Sequence, residues 1–243
     1  MVRYKSISNK GSRAVNEDCV GMFQRGGEYG FFLADGLGGH GKGDAASQMA
    51  VKEAILEFEE NGCREGALQA IFERGQNAIL SLQQREQNPY SMKTTMTALL
   101  IGEESVQRGH VGDSRIYWFW NRKMAGRTLD HSVTQMLVTI GEIREEEIRN
   151  HPDRNRLLRV MGMEWDKPEY QIAEEIPVRS GQAFLLCSDG FWELIDEKHM
   201  VRFLKQAFSV EEWLDKMTAF VQENGKGKDM DNYSAVAVWV TDE

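Results

Sequence analysis

Apolar and polar positions along the chain alternate between short apolar runs and longer amphipathic stretches. Val2 to Ser8, Cys19–Gln24 and Tyr29–Ala34 read as strands, the last two joined by a turn at Gly26-Gly27. From Asp44 to about Glu60, Val51, Ala54, Ile55 and Phe58 recur at helical spacing, which predicts a helix with one apolar face that Gly62 stops. A second helix follows, with Leu68, Ile71, Phe72, Gly75, Ile79 and Leu82 on one side. Strand signals return at Thr94–Ile101, Val106–Val111 and Arg115–Trp120, separated by turns at Gly102-Glu103-Glu104 and Gly112-Asp113-Ser114.

Residues 129 to 163 break this pattern with short helical pieces and a polar loop from Asn150 to Asn155. Strands resume at Glu169–Glu174 and Gln182–Ser188. A helix from about Val210 to Glu223 turns Trp213, Leu214, Met217, Phe220 and Val221 to a core, and Gly225-Lys226-Gly227-Lys228 reads as a mobile loop after it. The last run, Tyr233–Val240, is apolar on both faces and belongs inside a sheet. Hairpins interrupted by helix pairs predict an α+β fold, with two mainly antiparallel sheets packed together and helices outside. A single domain over residues 1–243 is expected.

Composition adds boundaries rather than detail. The 243 residues are 41% hydrophobic and 28% charged, enough for a full core. No stretch reaches the roughly 18 apolar residues that a membrane span needs. Met1 to Ser6 has no signal-like apolar segment behind it, and Cys19, Cys63 and Cys187 have no metal-type spacing, so cytoplasmic residence is expected. The formal net charge of −9 argues against a nucleic-acid surface.

The candidate chemistry lies where apolar runs end in carboxylates. Phe31-Phe32-Leu33-Ala34 runs into Asp35-Gly36, and Ala183 to Ser188 runs into Asp189-Gly190. Asn16-Glu17-Asp18 precedes one strand, and Asp231-Asn232 precedes another. Any one Asp-Gly is adequately explained as a turn. Four acidic strand ends on one rim would repel one another unless a cation sat among them. Hard oxygen donors without a His or Cys set suit magnesium, manganese or calcium better than zinc. No loop of the D-x-D-x-D-G kind is present and the acidic groups are far apart in sequence, which argues against a simple calcium-binding domain.

In order along the chain stand Arg13-Ala14-Val15-Asn16-Glu17-Asp18, FFLADGLGGHGKGDAAS, GHVGDSRIY, LDHSVTQ, LLCSDGFWELI and MDNYSAVAV. Together they resemble the type 2C metal-dependent serine/threonine protein phosphatases over about Lys5 to Val240. The segment from Gly141 to about residue 163 looks like the flap of the compact bacterial members. The resemblance implies an α/β/β/α sandwich with two tightly bound manganese or magnesium ions and a possible third, weaker one. It implies hydrolysis of phosphoserine or phosphothreonine by direct attack of a metal-bridging water or hydroxide. Asp35 would bridge both metals, and the Gly36 carbonyl would bind one. Asp189 and Asp231 would hold the other, with Glu17 and Asp18 reaching the centre directly or through water. Arg13 would grip the substrate phosphate, and Asp113 with Asp189 would hold the third ion. Phosphorylated proteins, an opposing kinase and a monomeric state follow from the same likeness.

One position departs from the family. Animal members carry a His directly after the first Asp-Gly, where this chain has Leu37. His40 is a nearby candidate proton donor, though a loop His is more often structural or solvated. A catalytically inactive relative that binds phosphoproteins as a scaffold is the alternative. Arg13, Asp18, Asp35, Asp189 and Asp231 occurring together argue against it, since an idle site has no use for clustered charge.

Overall fold

The computed structural model describes residues 1–38, 42–88 and 91–242. Strands β1 (Val2–Asn9), β2 (Asp18–Arg25) and β3 (Glu28–Asp35) come first, followed by helices α1 (Gly43–Asn61) and α2 (Ala67–Arg85). Then come β4 (Met96–Ile101), β5 (Ser105–Val111), β6 (Arg115–Trp120) and β7 (Lys123–Arg127), the short helix α3 (Val133–Thr139) and a 3₁₀ turn at Glu145–Asn150. The chain closes with β8 (Gln171–Ile172), β9 (Ile176–Pro177), β10 (Gln182–Cys187), α4 (Asp189–Trp192), α5 (Glu197–Gln206), α6 (Val210–Gly225) and β11 (Tyr233–Val240).

All the pairings are antiparallel and they make two sheets, ordered β1-β11-β10-β6-β7 and β2-β3-β4-β5-β8, with β9 also on β5. Side chains alternate across a strand, so a strand buried on both faces must be apolar at every position. Phe31 and Leu33 of β3 meet Phe184, Leu186, Val236 and Val238 between the sheets. Phe32 and Ala34 turn the other way, onto Ala50, Val51 and Ala54 of α1. Leu185, Ala235 and Ala237 face Trp213, Leu214 and Met217 of α6. The result is the four-layered α/β/β/α sandwich expected from the sequence, with β11 inside its sheet.

Some element boundaries differ from expectation. The strand expected from Thr94 starts at Met96, because Thr94 makes only isolated bridges to Gly36 and Met161. Of Glu169–Glu174, only Gln171–Ile172 pairs, at the sheet edge. The edge strand β7 and helix α5 were not anticipated. The first is polar, and the second sets only Met200, Phe203 and Leu204 into the core. Among the described residues no helix is long and apolar enough to cross a membrane.

Candidate metal centre

Sheet register brings the acidic strand ends to one rim. Asp18 opens β2 directly opposite Asp35, which closes β3. In the other sheet, β10 ends one residue before Ser188-Asp189, and β11 begins just after Asp231-Asn232. Asp113 lies in the turn that carries the chain from β5 in one sheet to β6 in the other. Arg13 reaches the same rim because β1 pairs Asn9 with Tyr233, and the Ser12 amide donates to the Met230 carbonyl at 2.9 Å.

Small hydroxyl residues lock these ends together. Ser188 Oγ donates to Asp18 Oδ2 at 2.8 Å and accepts from the Ser234 amide at 2.9 Å, joining the two sheets. Thr95 Oγ1 accepts from the Asp35 amide at 3.0 Å and contacts Ser114 Oγ at 2.8 Å, which ties Asp35 to the Asp113 turn. Asn232 accepts from the Glu17 amide at 2.7 Å and donates to the Lys10 and Val15 carbonyls at 2.9 and 3.0 Å. Asn232 thereby positions the segment from Val15 to Glu17 beside Asp231. Gly36 is required by close approach, since a Cβ there would overlap the Gly43 carbonyl. A Cβ on Gly38 would overlap the Glu17 carboxylate.

A cleft of about 700 Å³ is lined by Arg13, Glu17, Asp35, Gly36, Asp113, Asp189 and Asp231 together. Asp18 lies behind it, beneath Ser188. Burial pushes the Asp18 carboxyl up to about 7, against the Ser234 and Ser188 hydroxyls, and Asp189 and Asp231 push it further in the same direction. Asp35 is raised well above the usual carboxylate range, first by burial and then by Asp18, Asp189 and Asp113. Burial and Asp189 likewise raise Asp113; burial and Asp231 raise Asp189; burial and Asp44 raise Glu17. A cation entering such a cluster would favour its ionised form.

The residues present fit divalent cations. Asp18 Oδ1 is buried with no hydrogen-bond partner, an acceptor that the surrounding protein does not satisfy. All the donors are oxygen, as hard cations prefer. As placed, no group of three or more His, Cys, Asp or Glu among the described residues is already disposed to hold a metal ion. Asp231 instead takes Arg13 in a two-pronged pair, at 3.1 Å from Nε and 2.9 Å from Nη2. Asp189 Oδ1 accepts from the Gly190 amide at 2.6 Å.

Other residues of the site were not read from the sequence. Asn155 and Leu157 line the cleft. Behind Asp113, the buried Arg115 makes a bidentate pair with Asp130 at 2.8 and 2.7 Å and stacks 3.5 Å over Trp192. The Trp192 indole donates to the Asp113 carbonyl at 3.0 Å. Arg115 and Asp130 stand in the GDSR and LDHS motifs, yet only the fold shows that the two meet. The 141–163 segment is anchored at several points. Ile148 is buried in the core beside α5 and α6, Arg149 reaches the Trp192 and Ile195 carbonyls, and Arg154 pairs with Glu193 at 2.9 Å. His40 lies outside the described residues.

Oxygen ligands gathered beside an arginine suit a divalent cation and an anionic ester, and that combination places the chain among metal-dependent phosphatases. It belongs to the protein phosphatase 2C family, whose model matches residues 8–225. It is 34% identical over 213 residues to the serine/threonine phosphatase stp of Listeria monocytogenes, covering 84% of this chain and 82% of that protein. It is 31% identical to the serine/threonine protein phosphatase PstP of Mycobacterium tuberculosis, covering all of this chain and 46% of that longer protein. The crystal structure of the mycobacterial PstP superimposes with a TM-score of 0.84 at 29% identity over 99% of both chains. Stp1 of Staphylococcus aureus gives 0.87 at 27% identity, over 99% of this chain and 95% of that one. The PstP catalytic domain has been solved in complex with two manganese ions, with a TM-score of 0.83 to this chain. The chain is a metal-dependent serine/threonine phosphatase of the compact bacterial type.

Proposed function

We propose that the rim carboxylates hold two manganese or magnesium ions tightly and a third more weakly, and that the chain hydrolyses phosphoserine and phosphothreonine in proteins. The observation that carries this reading is the convergence of Glu17, Asp35, Asp113, Asp189 and Asp231 on one cleft, with Asp18 buried just behind. Asp35 and the Gly36 carbonyl, Asp189 and Asp231, and Glu17 with Asp18 would hold the tight pair. Asp113 with Asp189 would take the third. When bound, such ions neutralise phosphoryl oxygens and lower the pKa of water toward neutrality.

The chain's own groups prepare the reaction. Ser188, Thr95 and Asn232 fix the strand ends that carry Asp18, Asp35 and Glu17, so these residues are held at the rim before substrate arrives. Arg13 sits at the cleft mouth with its guanidinium fork on Asp231. A phosphate can take that fork in place of Asp231, one charge-assisted anion contact exchanged for another. Leu37 presents no proton to the leaving group. In the same reading residues 141–163 form the flap, and the chain works as a cytoplasmic monomer opposing a serine/threonine kinase. Hydrolysis of a phosphothreonine peptide and of para-nitrophenyl phosphate, each with manganese and with excess EDTA, tests it. Turnover only with manganese is expected. No turnover on either substrate, or full turnover in EDTA, contradicts it.

A further inference from the structure

A second groove, of about 490 Å³, opens beside the carboxylate cleft and is continuous with it, because Leu37, Asn155 and Leu157 line both. Beyond that junction the groove is faced by Leu158, Val160, Met163 and Trp165. Leu158 leaves 55% of its surface exposed although its backbone is fixed, its amide donating to the His131 carbonyl at 2.8 Å. The groove is preformed. Met161 bridges to Thr94, the Gly162 amide donates to Gln76 Oε1 at 2.8 Å, and the Trp165 indole donates to the Val160 carbonyl at 3.0 Å. An ordered, water-facing apolar surface next to a catalytic cleft is a recognition surface in waiting.

Charge at this groove is balanced: two cations, Lys93 and Arg159, and two anions, Glu164 and Glu169, stand on its lining, and Arg159 pairs with Glu169 at 3.0 Å. A second extension of the cleft, past Arg13, is different in kind. It is lined by Arg149, Arg154, Glu193, Lys228 and Asp229, a wall of charges. A peptide seated in the cleft therefore finds apolar surface along one extension and charge along the other. Leu37 matters here: the position that is His in animal members is the wall between the catalytic cleft and the groove, and in this chain it extends the apolar surface inward.

Resting on the phosphatase reading, we propose that this groove receives an apolar side chain of the phosphorylated substrate, close in sequence to the phosphoserine or phosphothreonine and on one side of it only. Continuity with the cleft identifies the occupant as the substrate chain itself, whose extended backbone advances about 3.3 Å per residue.

The test uses the manganese-loaded protein and phosphothreonine peptides in which leucine or aspartate is scanned through the three positions on each side. The expected result is a leucine-over-aspartate ratio in kcat/KM of about tenfold or more on one side and near unity on the other. Leu158→Asp should collapse that ratio to within about twofold and Leu158→Ala should give an intermediate value. The ratio is internal to each enzyme, so a partial loss of folded protein does not affect it. Equal use of all the peptides by the wild type, or an unchanged ratio in Leu158→Asp, overturns the proposal while the phosphatase reading stands. A wild-type dimer that Leu158→Asp dissociates, seen by light scattering, would assign the groove to a second copy of the chain and also overturn it. Failure on every peptide and on para-nitrophenyl phosphate would sink the phosphatase reading itself.

Discussion

Asp130→Asn removes the charge, but little of the shape, from a carboxylate that is 6% exposed and faces an arginine that is 1% exposed. Arg115 reaches Asp130 through Nε and Nη2, at 2.8 and 2.7 Å, so both prongs lose an ionic partner. Breaking a buried pair by removing one member costs about 3–5 kcal/mol, chiefly because the remaining charge is left uncompensated. Glu197 stands 3.9 Å from Arg115 and the Tyr117 hydroxyl 3.0 Å from it, which keeps the expected loss near the lower figure. For a chain of this length each kcal/mol moves Tm by about 2–4 °C, so a fall of roughly 6–12 °C is expected. The double variant Arg115→Met with Asp130→Leu should recover part of that loss. Trp192 stacks on Arg115 and donates to the Asp113 carbonyl, so the single variant should also weaken kcat at saturating manganese. Thermal unfolding with paired kinetics is the assay. A Tm within about 2 °C of wild type would show that Arg115 keeps its charge solvated or repaired without Asp130, and the reasoning would fail.

Arg13→Ala should raise KM for phosphorylated substrate by about ten- to a hundredfold, the worth of a charge-assisted contact, with a smaller change in kcat; an unchanged KM would leave Arg13 as Asp231's partner alone. Asp113→Ala should keep the two tight manganese sites yet turn over more slowly at saturating metal, as calorimetry beside kcat would show, and loss of the tight pair would contradict that role. In EDTA, pH acts through Asp18. Its folded carboxyl sits up near 7, above its value in the unfolded chain, so the native state holds a proton that the unfolded state has released. Stability relative to Asp18→Asn should therefore fall as pH rises from about 4 to 7, by urea unfolding, and a rise across that window would refute the assignment.

Runs buried on both faces were the most legible part of the sequence. Phe31–Ala34, Ala183–Cys187 and, past Ser234, Ala235–Val240 are apolar throughout because each separates the inter-sheet core from a helix layer. Their ends also betrayed the site, since a carboxylate directly after such a run has to leave the core at the rim. Helix α5 was hidden because Lys198, Arg202, Lys205 and Gln206 dominate its outer face. Edge strands β7 and β8 carry little hydrophobic signal because one side of each has no neighbouring strand. Long-range partners were the other blind spot. Nothing local in the sequence says that Ser188 bonds Asp18, 170 positions away, or that Leu158 flanks the catalytic cleft. Arg13 was read as a phosphate ligand and Asp231 as a metal ligand, yet the two meet each other, because opposite charges at one rim pair when they are within reach.

The claim that the rim carboxylates exist to hold divalent cations is tested most directly by titrating EDTA-stripped protein with manganese near pH 6.5, by calorimetry in two buffers of different ionisation enthalpy. Carboxyls raised by burial and by one another must give up protons when a cation takes their place. Two tight sites are expected, with heats that differ between the buffers because protons are released, and with both sites lost or crippled in Asp35→Asn. Absence of tight binding, or binding with identical heats in the two buffers, would contradict the assignment.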